Sequence, residues 1–534
     1  MTISTGCRRR TDSPPMPATF AFDDDSVVVV IGSGAGGGTL SHALARRGID
    51  VVCLEAGPRL TLGDIVNNEA QMFARLTWLD ERIGEGHALS RFPVWTCKTV
   101  GGTTMHWTAC SPRLQAHEIR ARSTYGDVEG ANLADWPLTL SEIEPYYDRA
   151  EELMGVTGTQ GIERLPGNNN YKVLAAAARK VGYRHIDTNN VAINSTPRDG
   201  RPACLQLGFC TSGCVIGAKW STLYTEIPKA EQTGHFELRP QSMVVRIIIG
   251  NDNRATTVRY LDRDGRMQQQ RARVVCVAGN AVETTRLLLQ SRTHRFPGGL
   301  ANSSGQLGRN YMRHVIAAVI GVMPGAVNMY KGAQVAGIVK DEAVNEPARG
   351  FFGGFLMMTV PFTPELLARN LIPGGWGRRL TRVLERYRDL AALLIVGEDP
   401  PRPDNRITLH PTRKDRYGLP VPVVRYMHHP NSRKLLRYAL DAGHRMYASL
   451  GAGQIFDMVD VFPATHNMGT ARMGDDPALS VCNRWGQTHD ITNLFITDGS
   501  LFPTVGCENP TLTIVALALR QADYIAGQRV IKAG

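Results

Sequence analysis

Residues 26–58, "SVVVVIGSGAGGGTLSHALARRGIDVVCLEAGP", constrain the fold of this chain more than any other stretch. A β-branched apolar run at 27–31 leads into a glycine turn, which is followed by a helical stretch at 39–47. The helix stops at a glycine and a second apolar run follows at 51–54. This order predicts a strand–helix–strand unit, and therefore an α/β domain built on a parallel sheet.

Three glycines of the turn, Gly32, Gly34 and Gly37, stand in the spacing GxGxxG, and Glu55 ends the second strand. Glycines allow a tight turn and the close approach of a pyrophosphate to the N–H groups of the helix. An acid after the second strand accepts hydrogen bonds from ribose hydroxyls. The unit predicts a dinucleotide site, without separating NAD from FAD, and the alternative is a tight structural turn in an α/β domain.

The chain of 534 residues is too long for one ordinary core, and its 54 glycines exceed the usual share of about 7%. Glycine- and proline-broken β-type segments follow the first nucleotide-binding part, and strand, glycine turn and apolar helix return near the end. We predict a disordered extension at 1–25, a Rossmann-like dinucleotide-binding domain at 26–312, a substrate-binding domain built on an antiparallel sheet at 313–430, and a return to the first domain at 431–534.

The formal charge of +11 comes mostly from scattered single arginines, so we predict no nucleic-acid partner. The chain has no run of eighteen apolar residues, and no apolar segment follows the basic residues 8–10. We therefore expect no transmembrane helix and no cleavable export signal. Taken alone, this favours a cytoplasmic location.

Several separate stretches together resemble the glucose–methanol–choline (GMC) family of FAD-dependent oxidoreductases. Besides residues 26–58, they are "VGGTTMHWTA", "VVCVAGNAVETTRLLLQS", "GLANSSGQLGRNYMRH", "THNMGTARMG" and "NPTLTIVALAL". Within the family, "GGTTMHW", "PLTLSEIEPYYDRAEELMGV" and "DGRPACLQLGFCTSGCVIGA" are most similar to the large flavoprotein subunits of bacterial gluconate, fructose and glucose dehydrogenases. The resemblance implies oxidation of an alcohol group of a sugar, sugar acid or polyol by hydride transfer to flavin N5.

The resemblance also implies roles for single residues. His466 falls at the position of the catalytic base, for which imidazole suits the working pH, and Asn509 falls at the position of its partner. Asp498 falls where the family places an acid near the sugar-alcohol chain of the flavin, although an Asp-Gly pair also forms plain turns. Val244 and Thr511 are further expected cofactor contacts.

In "GGTTMHW", Gly101, Gly102 and Thr103 are expected to let the backbone approach the isoalloxazine ring. His106 in the same segment matches a histidine that some relatives attach covalently to the flavin. The resemblance therefore implies FAD that is either linked through His106 or held without a bond, with His106 as a packing residue.

Cys204, Cys210 and Cys214 form a C-x5-C-x3-C cluster in a chain that otherwise spreads its ten cysteines thinly. Zinc would need a fourth ligand, and a disulfide would leave one cysteine unpaired. The dehydrogenase subunits hold a three-iron four-sulfur cluster at these positions, and thiolates are its usual ligands. The relatives often have another cysteine where this chain has Leu205. An iron–sulfur cluster, packed structural thiols, and zinc or a disulfide therefore all remain open.

The nearest alternative function is a pyranose- or glycoside-type oxidase that releases hydrogen peroxide. A hydroxynitrile lyase of the family is more distant, because such members lack the three-cysteine segment. A non-enzymatic flavoprotein is equally distant, because both His466 and Asn509 are present. The dehydrogenase branch implies two protein partners, a small subunit that carries an export signal and a membrane-anchored multihaem cytochrome. With such partners the chain would work on the periplasmic side of the inner membrane.

Overall fold

The computed structural model describes residues 18–370, 376–460 and 463–528. Its twelve described α-helices are α1 (Ala35–Ala45), α2 (Glu69–Leu76), α3 (Ala116–Ile119), α4 (Ala121–Tyr125), α5 (Leu140–Met154), α6 (Asn169–Lys180), α7 (Glu226–Glu231), α8 (Asn280–Gln290), α9 (Pro364–Asn370), α10 (Arg378–Glu385), α11 (Pro430–Ser449) and α12 (Thr511–Gly527).

The strands of the same residues form four sheets. In chain order they are β1 (Val28–Ile31), β2 (Val51–Leu54), β3 (Ile83–Gly86), β4 (Ile186–Thr188), β5 (Phe236–Arg239), β6 (Met243–Ile249), β7 (Ala255–Leu261), β8 (Met267–Arg271), β9 (Val274–Val277), β10 (Val315–Val322), β11 (Gly337–Val339), β12 (Phe355–Thr359), β13 (Leu390–Gly397), β14 (Arg406–Lys414), β15 (Pro420–Tyr426), β16 (Gln454–Val459) and β17 (Leu494–Ile496).

The first sheet is parallel and has the strand order β17-β9-β1-β2-β5. β1, β2 and β9 are buried along their whole length, which explains their continuous apolar sequence. Because all five strands run the same way, the loops after β1, β2, β9 and β17 meet at one edge of the sheet. Residues far apart in sequence are thereby brought to one site.

Helix α1 begins four residues before the predicted stretch at 39–47, and includes Gly37 of the turn together with Gly36 and Gly38. A Cβ at Gly36 would lie 1.8 Å from the carbonyl oxygen of Thr497, and one at Gly37 would lie 1.9 Å from that of Gly32. The low helix propensity of glycine is overridden here, because only glycine lets the helix start this close to the strand ends.

The second large sheet has six strands in the order β16-β10-β13-β12-β11-β4, and all its pairs are antiparallel. Helices α6 and α11 pack against this sheet and against each other. The predicted α/β fold with an added antiparallel sheet is confirmed. Two strands of the sheet, β4 and β16, come from outside the predicted range 313–430.

Two three-stranded sheets complete the fold, one with the order β14-β15-β3 and one antiparallel meander of β6, β7 and β8. Residues 18–25, which belong to the predicted extension, contact strands β5 and β8. The Phe20 N–H donates to the Glu237 carboxylate at 2.8 Å, and the Arg271 N–H donates to the Phe22 carbonyl at 2.9 Å. Disorder over 1–25 therefore does not extend to residues 18–25, and residues 1–17 lie outside the described part.

Candidate functional site

One elongated cavity of about 270 Å³ runs from the carboxyl edge of the parallel sheet to the loops after β16 and before α12. Of the thirteen residues predicted to bind FAD or act in catalysis, eleven line it: Gly32, Gly34, Glu55, Gly102, Thr103, His106, Val244, His466, Asp498, Asn509 and Thr511. Gly37 and Gly101 stand behind the wall. The structure therefore brings together residues from four separate parts of the chain.

At the sheet edge, Gly34 precedes α1 and stands in an extended conformation (φ −68°, ψ −161°). A Cβ at this position would meet only the Cα of Gly102 at 3.8 Å and the carbonyl of Gly101 at 3.9 Å. Neither the backbone conformation nor the packing of the protein requires glycine here. The remaining reason is the close approach of a ligand to the N-terminus of α1, as a pyrophosphate requires.

Glu55 lies beside this turn with its carboxylate engaged by three protein groups. Its Oε2 accepts hydrogen bonds from the Ser33 N–H at 3.0 Å and the Ser33 hydroxyl at 2.7 Å, and its Oε1 accepts one from the Gly57 N–H at 2.9 Å. Burial raises the pKa of Glu55, while these hydrogen bonds lower it. A carboxylate has about four acceptor positions, so one stays available for a ribose hydroxyl.

Asp498 follows β17 and also lines the cavity. Its Oδ2 accepts from the Asn280 N–H at 2.9 Å and the Thr284 hydroxyl at 2.5 Å, and its Oδ1 accepts from the N–H and hydroxyl of Ser500. These four bonds use the carboxylate fully and organise the start of α8. Thr511 opens α12 directly after Asn509 and Pro510.

The end of the cavity beyond Glu55 holds residues that the sequence did not single out. Val244 lies there in β6, next to the side chains of Trp78, Glu283 and Arg286. Glu283 accepts from Arg82 at 2.8 Å and from Arg286 at 3.3 Å, and Arg286 also pairs with Asp415 at 2.6 Å, so two carboxylates face the two arginines. Their positions depend on contacts between distant segments, which leave no motif in the sequence.

His106 lies at the opposite end, directly after the 3₁₀ helix Gly102–Met105. Its ring stacks on Trp95 with centroids 4.6 Å apart and planes 10° apart. The side chain is 3% exposed, and its Nε2 has no hydrogen-bond partner. Burial first, and then the charge of Lys219, lower the pKa of His106 to about 3, so the imidazole is neutral.

The backbone before His106 takes the conformation that only glycine adopts easily. Gly101 has φ +95°, and a Cβ there would lie 2.8 Å from the Ser221 hydroxyl. Gly102 and Thr103 line the cavity, as expected for a segment that faces a flat ring.

His466 and Asn509 lie side by side in the cavity wall, with the Asn509 Nδ2 3.3 Å from the His466 Nε2. The Asn509 Oδ1 is buried without a hydrogen-bond partner. Burial lowers the pKa of His466 to about 4, so this imidazole is neutral at ordinary pH. The other ring nitrogen of His466, Nδ1, lies 2.7 Å from the Nδ1 of His314.

The three clustered cysteines line a second, smaller cavity next to the large one. Thr211, which directly follows Cys210, belongs to the wall of the large cavity. The Gln206 N–H donates to the Cys204 Sγ and the Lys219 N–H donates to the Cys214 Sγ, each at 3.4 Å. Burial nevertheless raises the pKa of Cys204, against the effect of the Gln206 N–H, and raises the pKa of Cys210 to about 11, so both are thiols at neutral pH.

The three sulfurs are not among the described groups of ligand atoms that all lie within 4.8 Å of one another. Thiolates on one zinc ion lie about 2.3 Å from the metal, and so within about 4.6 Å of each other. The arrangement therefore does not fit a single zinc ion. All three are free thiols, and so are the other six cysteines of the described residues.

Lys219 lies between the two cavities and is 1% exposed. Its ammonium donates to the carbonyls of Met105 at 2.9 Å, Trp107 at 2.8 Å and Cys210 at 2.6 Å. Within the described residues no carboxylate pairs with it. Burial lowers its pKa to about 8, and the neighbouring sulfurs of Cys210 and Cys214 oppose this shift.

Sequence reasoning missed Lys219, Trp95 and His314. Lys219 stands in "GAKWST", at the end of the cysteine segment, and His314 is the last residue of "GLANSSGQLGRNYMRH". Both therefore lie in or beside stretches that carry the family resemblance. Their roles follow from contacts with segments more than 100 residues away, which no local pattern shows.

A glycine turn at the edge of a parallel sheet, a helix N-terminus that faces a long cavity, and a neutral histidine with an amide at its far end define a dinucleotide-dependent oxidoreductase. The N-terminal and C-terminal profiles of the family described as GMC oxidoreductase match residues 24–316 and 401–518 of the chain. The chain belongs to the GMC oxidoreductase family. Members of this family oxidise alcohol groups with FAD, and this protein is an FAD-dependent oxidoreductase of that kind.

Three relatives cover almost the full length of the chain. It is 33% identical to 2-methyl-1,2-propanediol dehydrogenase of Mycolicibacterium austroafricanum, over 94% of this chain and 95% of that protein. It is 30% identical to the fructose dehydrogenase large subunit of Gluconobacter japonicus, over 93% and 97%. It is 33% identical to paromamine 6'-oxidase of Streptomyces fradiae, over 95% and 93%.

Among solved structures, pyridoxine 4-oxidase from Mesorbium loti superposes with a TM-score of 0.70 at 16% identity, over 94% of this chain and 99% of that one. This likeness supports the fold. No described helix is both long and apolar enough to cross a membrane.

Proposed function

We propose that this GMC oxidoreductase is a dehydrogenase that oxidises an alcohol group of a sugar, sugar acid or related polyol and passes the electrons to an acceptor other than O2. The observation that carries the proposal is the pairing of a neutral, partly buried His466 with the Asn509 amide in the wall of the cavity. Relatives named for a diol and for fructose support the substrate class.

FAD supplies the hydride acceptor when it is bound. The chain itself provides the proton chemistry. The His466 Nε2 takes the proton of the substrate hydroxyl, because its neutral imidazole has a lone pair to offer. The Asn509 Nδ2 has two N–H groups, so it can donate to the substrate oxygen while it also contacts His466. The Asn509 side chain is buried and that of His466 is partly buried, which limits the access of water to the developing charge.

The test of the reaction is anaerobic mixing of the protein with a panel of sugars, sugar acids and diols, while the flavin absorbance is followed. We expect bleaching by members of this panel and not by simple monoalcohols. If no alcohol bleaches the flavin, the proposed reaction is wrong. The cavity would then serve binding or a lyase reaction.

The assignment of Gly34 to the pyrophosphate site is tested by Gly34→Val, with Gly325→Val as the matched control. Neither position has a positive φ, and a Cβ at Gly325 meets no atom within 4 Å. We expect Gly34→Val to purify without FAD and Gly325→Val to keep its yellow colour. Full FAD occupancy in Gly34→Val would contradict the assignment.

The route for electrons is the second part of the proposal. Cys204, Cys210 and Cys214 are proposed to ligate a three-iron four-sulfur cluster next to the flavin. Three features support it: sulfurs too far apart for one metal ion, N–H groups directed at two of them, and the uncompensated charge of Lys219 beside them. A buried cation without a carboxylate calls for another anion, and thiolates on iron would supply it.

Iron and acid-labile sulfide assays, together with low-temperature electron paramagnetic resonance of air-oxidised protein, test the cluster. We expect iron and a three-iron signal in the parent protein, and their loss in Cys214→Ser. Cys276→Ser is the control, because Cys276 is a buried free thiol in β9, away from the loop. An iron-free protein with full FAD would make the three cysteines structural thiols.

We also propose that FAD is attached through the His106 Nε2. The bond would replace one C–H bond of the flavin 8α-methyl group, and the proton would be released while the two electrons would pass through the flavin to the acceptor proposed above. The His106 Nε2 is neutral, without a partner, and belongs to a side chain that lines the cavity. Flavin that stays with acid-precipitated protein and is released in His106→Ala is the expected result. Free FAD in the supernatant of the parent protein would exclude the bond.

An oxidase is the second candidate, since paromamine 6'-oxidase is a relative of similar identity and coverage. Stoichiometric hydrogen peroxide in air would favour it over a dehydrogenase. Reduction of dyes or cytochromes without peroxide would favour the dehydrogenase.

A relative named as a large subunit supports a protein partner for the dehydrogenase. The exposed Leu205 and Leu207 next to Cys204 offer an apolar surface for an electron-accepting cytochrome. A small subunit with an export signal, and therefore a periplasmic place of action, stay predictions. Co-purification of the chain with such subunits from its source would test them.

A further inference from the structure

His314 is a buried histidine that no part of the proposed reaction uses, although it contacts the proposed base directly. It is 1% exposed and stands immediately before β10, while His466 follows β16. β10 and β16 are antiparallel neighbours, with Ala317 opposite Val459, so the start of one and the end of the other meet. The sheet thereby brings two imidazoles together across 152 residues.

Both ring nitrogens of His314 have a partner. Its Nε2 lies 2.8 Å from the carbonyl oxygen of Gly506, and its Nδ1 lies 2.7 Å from the Nδ1 of His466. The two rings are perpendicular, with centroids 4.9 Å apart. Two contacts of this length on one ring fix where the protons must be.

The carbonyl of Gly506 can only accept a hydrogen bond, so the Nε2 of His314 carries a proton. A neutral imidazole has one N–H, which leaves a lone pair on the Nδ1 of His314. The contact between the two Nδ1 atoms needs one proton, which must come from His466. His466 is then protonated on Nδ1, and its lone pair is on Nε2, towards Asn509 and the cavity.

We propose that His314 is a positioning residue that holds His466 in the tautomer with no proton on Nε2, whose lone pair faces Asn509 and the cavity. The inference rests on the proposed role of His466 as the base. Without His314, the His466 proton could move to Nε2, because no described carboxylate accepts from Nδ1 in its place. A proton on Nε2 blocks the nitrogen that faces the substrate.

The same contact helps after the proton transfer. When the substrate proton has moved to the His466 Nε2, the ring is an imidazolium with N–H groups on both nitrogens. Its Nδ1–H still donates to the neutral His314, so the new charge keeps a strong acceptor in a buried site. No proton needs to move to His314, whose other nitrogen is committed to the backbone.

The charged groups around His314 and His466 do not disturb this arrangement of protons. Arg313 and Asp460 line a small cavity beside both rings and are ion-paired with each other at 2.8 Å. Asp399 accepts from the Arg313 N–H. On the other side, the Glu118 carboxylate accepts from the Cys507 N–H, next to Gly506, and Glu508 follows. Burial and the neighbouring His466 lower the pKa of His314 well below its usual value, so it stays neutral.

The kinetic test uses two substitutions in the full FAD-loaded protein. In His314→Asn, an amide oxygen near the former Nδ1 position can accept from the His466 Nδ1–H. In His314→Leu, no acceptor remains. We expect anaerobic flavin reduction to slow about 100-fold in His314→Leu and less than about 10-fold in His314→Asn, with KM within about threefold of the parent in both.

His429→Leu is the matched control. His429 is also buried with one nitrogen on a backbone carbonyl, that of Glu129 at 2.9 Å, but it begins α11 away from the cavity. Its loss tests whether removal of any such histidine slows the reaction. We expect an unchanged rate of flavin reduction.

The direct test is the tautomer itself, read from ¹⁵N chemical shifts of histidine-labelled protein, with the His466 signals assigned by their absence in His466→Gln. We expect His466 to carry its proton on Nδ1 in the parent protein, and increasingly on Nε2 in His314→Leu. A proton on Nε2 in the parent protein would overturn the proposal, and so would an unchanged rate in His314→Leu. Since this readout needs no substrate, it is distinct from failure of the proposed reaction, in which no alcohol bleaches the flavin.

Discussion

Two histidines of the cavity wall, His106 and His466, are both neutral, yet their surroundings differ, since His106 is buried and His466 is only partly buried. His466 has a partner on each ring nitrogen, His314 on one side and Asn509 on the other. His106 has a stacked ring and an Nε2 without any partner. The difference shows that burial alone does not define a role, because the hydrogen bonds decide whether a nitrogen moves protons or stays available for a bond.

The strongest way to break this comparison is to remove each imidazole in turn. We expect His466→Ala to slow anaerobic flavin reduction at least about 1,000-fold, because no other base faces the substrate hydroxyl. FAD content should not change, since His466 forms only part of the wall. Stopped-flow absorbance measures the rate, and near-normal turnover would remove His466 from the role of base.

Substitution of Asn509 tests the part of the comparison that concerns His466 and its hydrogen-bond partner. Asn509→Leu should slow flavin reduction about 100-fold, because the substrate oxygen loses a preorganised donor. Asn509→Asp makes a useful second variant, since it keeps the shape but removes the N–H groups. If both variants reduce flavin at the parent rate, the amide has no part in the chemistry.

Substitution of His106 should change the retention of FAD more than the rate of flavin reduction. We expect His106→Ala to release FAD on acid precipitation and to slow flavin reduction by only about tenfold, because the base and its partners are untouched. Flavin reduction as slow as in His466→Ala would show that His106 and His466 are not separate in function.

The pH dependence tests the neutrality of His466 without any substitution. Burial lowers its pKa to about 4 from an ordinary value of 6.5, so the neutral form that acts as a base dominates above about pH 4. The rate constant for flavin reduction should therefore rise through about pH 4 and stay level towards neutral pH. A rise in this rate constant centred near pH 6.5 would mean that burial does not lower the pKa of His466 during catalysis.

The smallest effect is expected from the charge behind His106. Lys219→Met removes a buried ammonium that lowers the pKa of His106 and lies beside Cys210. The reduction potential of the flavin should fall, because a nearby positive charge favours the electron-rich state. Spectroelectrochemistry measures the potential, and an unchanged value would limit Lys219 to joining the two backbone segments.

The sequence predicted much of the cofactor site because that site is built from local patterns. The strand, the turn and Glu55 stand within 30 residues, and the structure keeps β2 at the predicted bounds. The start of α1 was placed too late, since glycine propensity was given more weight than close packing against the sheet.

The amino-acid sequence by itself determined the class of the fold, the family, and which histidine and asparagine stand in the motifs proposed for catalysis. Only the tertiary structure decided the hydrogen bonds and the protonation of these residues. The proton on His466, the free nitrogen of His106 and the unpaired charge of Lys219 all depend on contacts across more than 100 residues. A short motif specifies residue types, whereas protonation and hydrogen bonding depend on the groups that the fold places within about 3 Å of them.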